Sequence, residues 1–147
     1  MTRTRASAKK AGSSFERLVA DYLAKRLNDD RIDRRVKTGN KDRGDIGGVR
    51  TIRGARCVLE VKDYGGRFEV SPWLREAEVE RGNDDAAIGV VVAKRRGLTA
   101  PAEQVVFMTL ATFADLLEGG PDRREVIALA KEIGLPHDGG HPTERAA

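Results

Sequence analysis

Residues 86–93 read Ala-Ala-Ile-Gly-Val-Val-Val-Ala and carry no polar side chain. The run has strand length and falls far short of the ~20 residues that span a bilayer. A strand this apolar is buried on both faces, so layers must cover its sheet above and below. Two helical patterns can supply those layers. Phe15, Leu18, Val19, Tyr22 and Leu23 follow helical spacing and form one apolar stripe that ends near Leu27. Ser13 and Glu16 are spaced as a capping box, with Ser13 as the N-cap. Ser71-Pro72 marks a second helix start, followed by Trp73, Leu74 and Ala77 and an end near Arg81-Gly82-Asn83.

The remaining segments are shorter. Strands are predicted near 34–37, 45–50 and 56–63, before the second helix, and near 105–110 after the apolar run. A short helix over 112–117 stops at Gly119-Gly120-Pro121, and another covers 123–133. The predicted class is α/β, with a mixed central sheet flanked by helices. Residues 1–12 are read as a disordered basic arm, 13–118 as the main folded domain, and 119–147 as a C-terminal helix and flexible tail.

The net charge is only +4, but the positive charge is clustered. Arg31, Arg34, Arg35, Lys37, Lys41 and Arg43 crowd one segment, and Arg50, Arg53 and Arg56 follow. Clusters of this kind suit a polyanion whose phosphates must be neutralised. The single cysteine, Cys57, cannot form an internal disulfide, so nothing points to an oxidising compartment. No apolar stretch follows the basic N-terminus, so no secretory signal is read there. A cytoplasmic location with no membrane partner is expected. A phage-encoded protein acting inside its host cell fits the same reading.

The chemistry concentrates in Cys57-Val58-Leu59-Glu60-Val61-Lys62. Alternation along a strand sends Cys57, Leu59 and Val61 to the core and Glu60 and Lys62 together to the other face, about 6–7 Å apart. A carboxylate and an ammonium within an apolar strand are costly without partners, and a metal and a phosphate would supply them. Asp45 opens the neighbouring strand. If the two strands pair as a hairpin, Asp45 and Glu60 can converge on one cation. Hard oxygen ligands suit Mg²⁺, which retains several waters. A neighbouring lysine can orient a water or offset charge in the transition state.

Asp45 followed by Glu60-Val61-Lys62 resembles the PD-(D/E)XK nuclease signature. The element order over about residues 13–93 is similar to that family's restriction-endonuclease-like α-β-β-β-α-β core. Within the family the chain looks most like the small Holliday junction resolvases of archaeal and phage type. Glu16 matches a glutamate of their first helix. Arg35 and Thr38-Gly39 match a basic residue and a small hydroxyl residue before the aspartate. The resemblance implies Mg²⁺, with Mn²⁺ able to substitute, bound by Asp45, Glu60 and the Val61 carbonyl, with Glu16 as a further metal or catalytic residue. It also implies Lys62 near the attacking water, and a homodimer that cuts four-way DNA junctions. Arg34, Arg35, Lys37, Thr38, Lys41 and Arg43 are the expected DNA contacts. Gly44 departs from the family, which usually has proline before the aspartate.

Plainer readings stand beside these. Glu60 and Lys62 can form a surface ion pair on an edge strand. Asp42 is a rival to Asp45, which is preferred because Ile46 follows it directly. Glu16 can serve the helix start alone. Trp73 suits the core better than a stacking platform, and Cys57 suits burial better than nucleophilic attack. His137 and His141 flank Gly139-Gly140 and make a poor zinc pair. A restriction or repair nuclease of the same fold and a non-catalytic DNA-binding module remain alternatives to the resolvase.

Overall fold

The computed structural model describes residues 2–37, 39–120 and 123–135. Thr38, His137 and His141 lie outside the described residues. The elements in chain order are α1 (Arg5–Arg26), β1 (Asp33–Arg34), β2 (Ile46–Gly47), β3 (Cys57–Lys62) and α2 (Val70–Asn83). Then come β4 (Ile88–Ala93), a 3₁₀ turn (Pro101–Glu103), β5 (Val105–Phe107), α3 (Leu110–Glu118) and α4 (Arg123–Glu132). The strands form one mixed sheet in the order β1-β2-β3-β4-β5. The β1–β2, β2–β3 and β4–β5 pairs are antiparallel, and β3–β4 is parallel. The chain is therefore α/β, with helices flanking a five-stranded mixed sheet.

A parallel pair needs a crossover connection, and α2 supplies it between β3 and β4. The register runs from Cys57 opposite Ile88 to Lys62 opposite Ala93. The run at 86–93 is covered on both sides, as its composition requires. Ile88, Val90 and Val92 join Phe15, Val19, Ala20, Ile46, Cys57, Leu59 and Val61 in the core against α1. Val91 and Ala93 face the other way and meet Trp73 and Ala77 of α2. Trp73 is core, as expected.

Several boundaries differ from the sequence reading. α1 begins at Arg5, with Thr4 as its N-cap accepting the Ser7 N–H at 3.1 Å. Residues 5–12, expected to be disordered, are thus helical, and Ser13 and Glu16 lie inside the helix rather than forming a capping box. The physical reason is local: Arg5-Ala6-Ser7-Ala8-Lys9-Lys10-Ala11 contains good helix formers and no breaker. α2 starts at Val70 after Glu69, so Ser71 is not its cap. Pro72 falls within the first turn, where its missing N–H leaves no intrahelical bond unmade. β1, β2 and β5 are shorter than the stretches 34–37, 45–50 and 105–110 read from the sequence, and β1 starts one residue earlier. Among the described residues no helix is long and apolar enough to cross a membrane.

Candidate active site

Ile46 pairs with Leu59 across the antiparallel β2–β3 ladder, and both face the α1 core. One step along the same register puts Asp45 directly opposite Glu60, on the α2 side of the sheet. The turn into that position is tight. Asp45 N–H donates to the Leu59 carbonyl at 2.9 Å, and Val61 N–H donates to Asp45 Oδ2 at 2.8 Å. The preceding Gly44 has φ +89°, and a Cβ there would stand 2.6 Å from Val58 Cγ1. Proline, locked near φ −65°, cannot take this conformation, which accounts for the departure noted in the sequence.

Asp45 and Glu60 are each 5% exposed. Lys62, on the same face, places Nζ 2.7 Å from Glu60 Oε1 and 2.5 Å from Glu76 Oε2. Burial opposes its charge, but the bonds to Glu60 and Glu76 outweigh it and hold the ammonium above the usual lysine range. Burial, then the charge of Glu60, pushes the Asp45 carboxyl up to about 7. Lys37 Nζ lies 2.9 Å from Asp42 Oδ2 and 3.9 Å from Asp45 Oδ1, so it reaches over the rim of the site. Asp42 holds this lysine, the loop N–H of Gly44 at 3.1 Å, and through its carbonyl the Asn83 amide at 2.8 Å. Asp42 therefore secures the loop.

Glu80 of α2 is the member that the sequence reading missed. It too is 5% exposed, and its carboxyl group meets that of Glu60. Burial and contact with Glu60 push it up to about 9. Glu60 Oε2 and Glu80 Oε2 are both buried without a hydrogen-bond donor. Two buried carboxyl groups in contact need a proton or a cation between them. A signal was present: Trp73, Ala77 and Glu80 are the buried residues of α2 at helical spacing, and a carboxylate in an apolar stripe is anomalous.

These donors fit a hard divalent cation. Backbone groups alternate along β3: the Lys62 carbonyl accepts from Lys94 next to β4, so the Val61 carbonyl points to the opposite side, where Asp45 stands. Among the described residues no three His, Cys, Asp or Glu side chains are placed to hold a metal ion together. A cation here would therefore take Asp45, Glu60, the Val61 carbonyl and waters, a donor set that suits Mg²⁺.

The other expected site residues are distributed differently. Glu16 sits in the α1 layer, where Arg34 Nε and Nη2 donate to its Oε2 at 3.0 and 2.8 Å. Its charge is felt at Asp45. Arg35 is drawn inward, 2.9 Å from Asp84 Oδ1 and 2.8 Å from the Arg43 carbonyl. Lys37, Lys41 and Arg43, with Arg35, Arg50 and Arg56, line a cleft of about 480 Å³ beside the Asp45 loop. Burial pushes the Cys57 thiol up to about 11, which removes it as a nucleophile at neutral pH.

No protein-family model, curated protein or solved structure matches this chain.

Proposed function

We propose that the chain is a divalent-metal-dependent endonuclease of the PD-(D/E)XK type that hydrolyses DNA phosphodiester bonds. The observation that carries this reading is the buried Asp45–Glu60 pair, set opposite one another with Lys62 on the same face. An ordinary surface ion pair has no reason to bury two acids side by side at such cost. The element order α1-β1-β2-β3-α2-β4 supports a restriction-endonuclease-like core, and the basic cleft supports a polyanionic substrate.

Asp45, Glu60 and the Val61 carbonyl would hold Mg²⁺, with Mn²⁺ as a substitute. The bound metal supplies charge stabilisation at the phosphate and a water of lowered pKa. Lys62 remains protonated, so it acts as a donor that orients the water or a phosphoryl oxygen, not as a general base. Lys37 and the cleft cations offset phosphate charge beside the acids.

The finer reading is a Holliday junction resolvase acting as a homodimer within the cell. A four-way junction has near two-fold symmetry, and a two-fold dimer brings one such site to each of two strands. Leu110, Phe113 and Leu117 form an exposed apolar stripe on α3, a helix with no buried residue, and this stripe is the proposed interface. The test is cleavage of four-way junction, nicked, linear duplex and single-stranded DNA with and without Mg²⁺. Metal-dependent paired cuts in the junction are expected. No cleavage of any DNA would overturn the nuclease. Preference for linear duplex would favour a restriction or repair enzyme.

A further inference from the structure

The loop that follows the proposed catalytic strand carries two aromatic rings into solvent. Tyr64 is 43% exposed and Phe68 42% exposed, whereas Trp73 beneath them is 1% exposed. Tyr64 meets Trp73 edge-on at 5.1 Å between centroids, and Phe68 meets Phe107 edge-on at 5.1 Å and Trp73 at 6.5 Å. Both rings stand nearly perpendicular to the buried indole, at 75° and 72°, and each keeps about two fifths of its surface exposed. The loop itself is held. Gly65 N–H donates to Asp63 Oδ1 at 3.1 Å, Arg3 clamps the same oxygen at 3.0 Å, and Arg96 Nε donates to the Gly65 carbonyl at 3.3 Å. Gly66, at φ +91°, lies so close to Arg96 that a Cβ would stand 2.5 Å from the arginine Cβ. The loop that carries Tyr64 is thus tied to Arg3 and Arg96.

Its surroundings select the ligand. Arg67 lies 5.5 Å above the Tyr64 ring with only a long, exposed contact of 3.6 Å to Glu69, and Arg96 borders the loop. Exposed rings among guanidinium groups match a nucleic-acid strand: bases stack on the rings and phosphates meet the cations. The position also fits. Tyr64 follows Lys62 by two residues and rests on α2, the helix that covers Glu60 and Lys62. Bases inside a continuous duplex are stacked on one another and cannot lie on a shelf. A base unstacked at a branch, gap or flap can.

We propose that Tyr64 and Phe68 form a stacking shelf for an unstacked nucleobase beside the cleavage site, so that the substrate class is DNA interrupted by a branch or gap. The proposal rests on the nuclease reading. The shelf selects DNA structure without reading sequence, since every base has a π-face.

The experiment measures binding by fluorescence anisotropy to a four-way junction, a gapped duplex, single-stranded DNA and a continuous duplex of equal length. Ca²⁺ replaces Mg²⁺ so that nothing is cut. The variants are Tyr64→Leu and Phe68→Leu, which keep apolar packing on Trp73, and Tyr64→Phe and Phe68→Tyr, which keep a ring. Thermal melting reports the fold of each. The leucine variants should bind the junction, gapped and single-stranded DNA about tenfold more weakly, with less than about a twofold change on continuous duplex. The ring-keeping variants should match the parent. Equal loss on every DNA, no loss on any, or loss in the ring-keeping variants as well would overturn the shelf. A change in sedimentation instead of DNA affinity would assign these rings to contact between copies of the chain. Those results leave the nuclease reading standing if the parent binds and cuts DNA. A parent that binds no DNA sinks both.

Discussion

On the α1 side of β3, Cys57, Leu59 and Val61 belong to the larger apolar core; on the α2 side, one residue away at each step, Glu60 and Lys62 meet Asp45, Glu76 and Glu80. Both faces are buried. The first stabilises the chain by removing apolar surface from water. The second sets like charges together and leaves buried carboxylate oxygens without donors, which costs stability. A strand can hold both because its alternation separates them by the thickness of the sheet. The continuous apolar β4 beside it gives β3 a full-length partner, so the costly face is carried by a rigid element.

The largest effects should separate the two faces cleanly. Asp45→Asn and Glu60→Gln are each expected to abolish cleavage while DNA binding survives, because a metal ligand is lost and repulsion of phosphate falls. Without metal, Asp45→Asn should melt no lower than the parent, since a buried acid beside Glu60 is gone. Leu59→Ala is expected to do the reverse: a loss of about 2–5 kcal/mol in stability with the residual folded protein keeping the proposed activity. Cleavage assays beside urea titrations would check this. Full activity of Asp45→Asn in Mg²⁺ would remove the assigned site.

Lys62→Ala comes next. Its ammonium bridges Glu60 and Glu76 and stays charged, so its removal should lower turnover ~10²-fold or more, with little change in Mg²⁺ affinity. Single-turnover kinetics and calorimetric titration of metal would separate the two quantities. An unchanged rate would make Lys62 a structural counter-ion of the acidic face.

The two faces were also unequally legible. The apolar side and the strand and helix order followed from periodicity, and the doubly buried run at 86–93 from its continuous apolar composition, both local properties. Asp45 and Glu60 were legible because strand alternation and a hairpin pairing fix their face. Glu80 was not, because its role depends on α2 crossing over β3, a tertiary fact. Arg34 and Arg35 read as part of a basic patch, yet Glu16 and Asp84 draw them into ion pairs, and charge clustering alone does not distinguish a solvated arginine from a paired one. The helix start at Arg5 is hidden in the sequence because residues 5–12 combine helix-forming propensity with the small, polar and basic composition of a disordered arm.

The acidic face should also reveal itself through pH. Asp45 and Glu80 keep their protons to about 7 and about 9 in the folded chain, well above their ordinary values of 3.8 and 4.5. Between those limits the native state binds more protons than the unfolded state, so stability falls as pH rises. In chelator, the urea midpoint should decline from about pH 4 to pH 9. Added Mg²⁺ should stabilise most at the upper end, where it no longer competes with protons. Asp45→Asn should flatten the lower part of the decline. A midpoint that is flat in pH without metal would mean the acids are not buried together in solution.

The smallest expected effect lies outside β3, in the cleft that borders the acidic face. Lys41 and Arg43 line it and make no side-chain ion pair among the described residues, whereas Arg34 and Arg35 are held by Glu16 and Asp84. Paired arginines keep the loop and β1 in place; unpaired cations are available to phosphate. Lys41→Ala and Arg43→Ala should therefore leave melting unchanged and weaken binding to every DNA by a few fold. Each should lower the slope of log affinity against log salt by about 0.9 if it neutralises one phosphate of duplex DNA. Arg35→Ala should instead lower melting, because buried Asp84 loses a charge partner. Salt titrations of binding would show the difference even where the affinity change is slight. If Arg35→Ala lowers the salt slope without touching stability, the arginine leaves Asp84 when DNA binds, and the cleft cations act as one set instead of two.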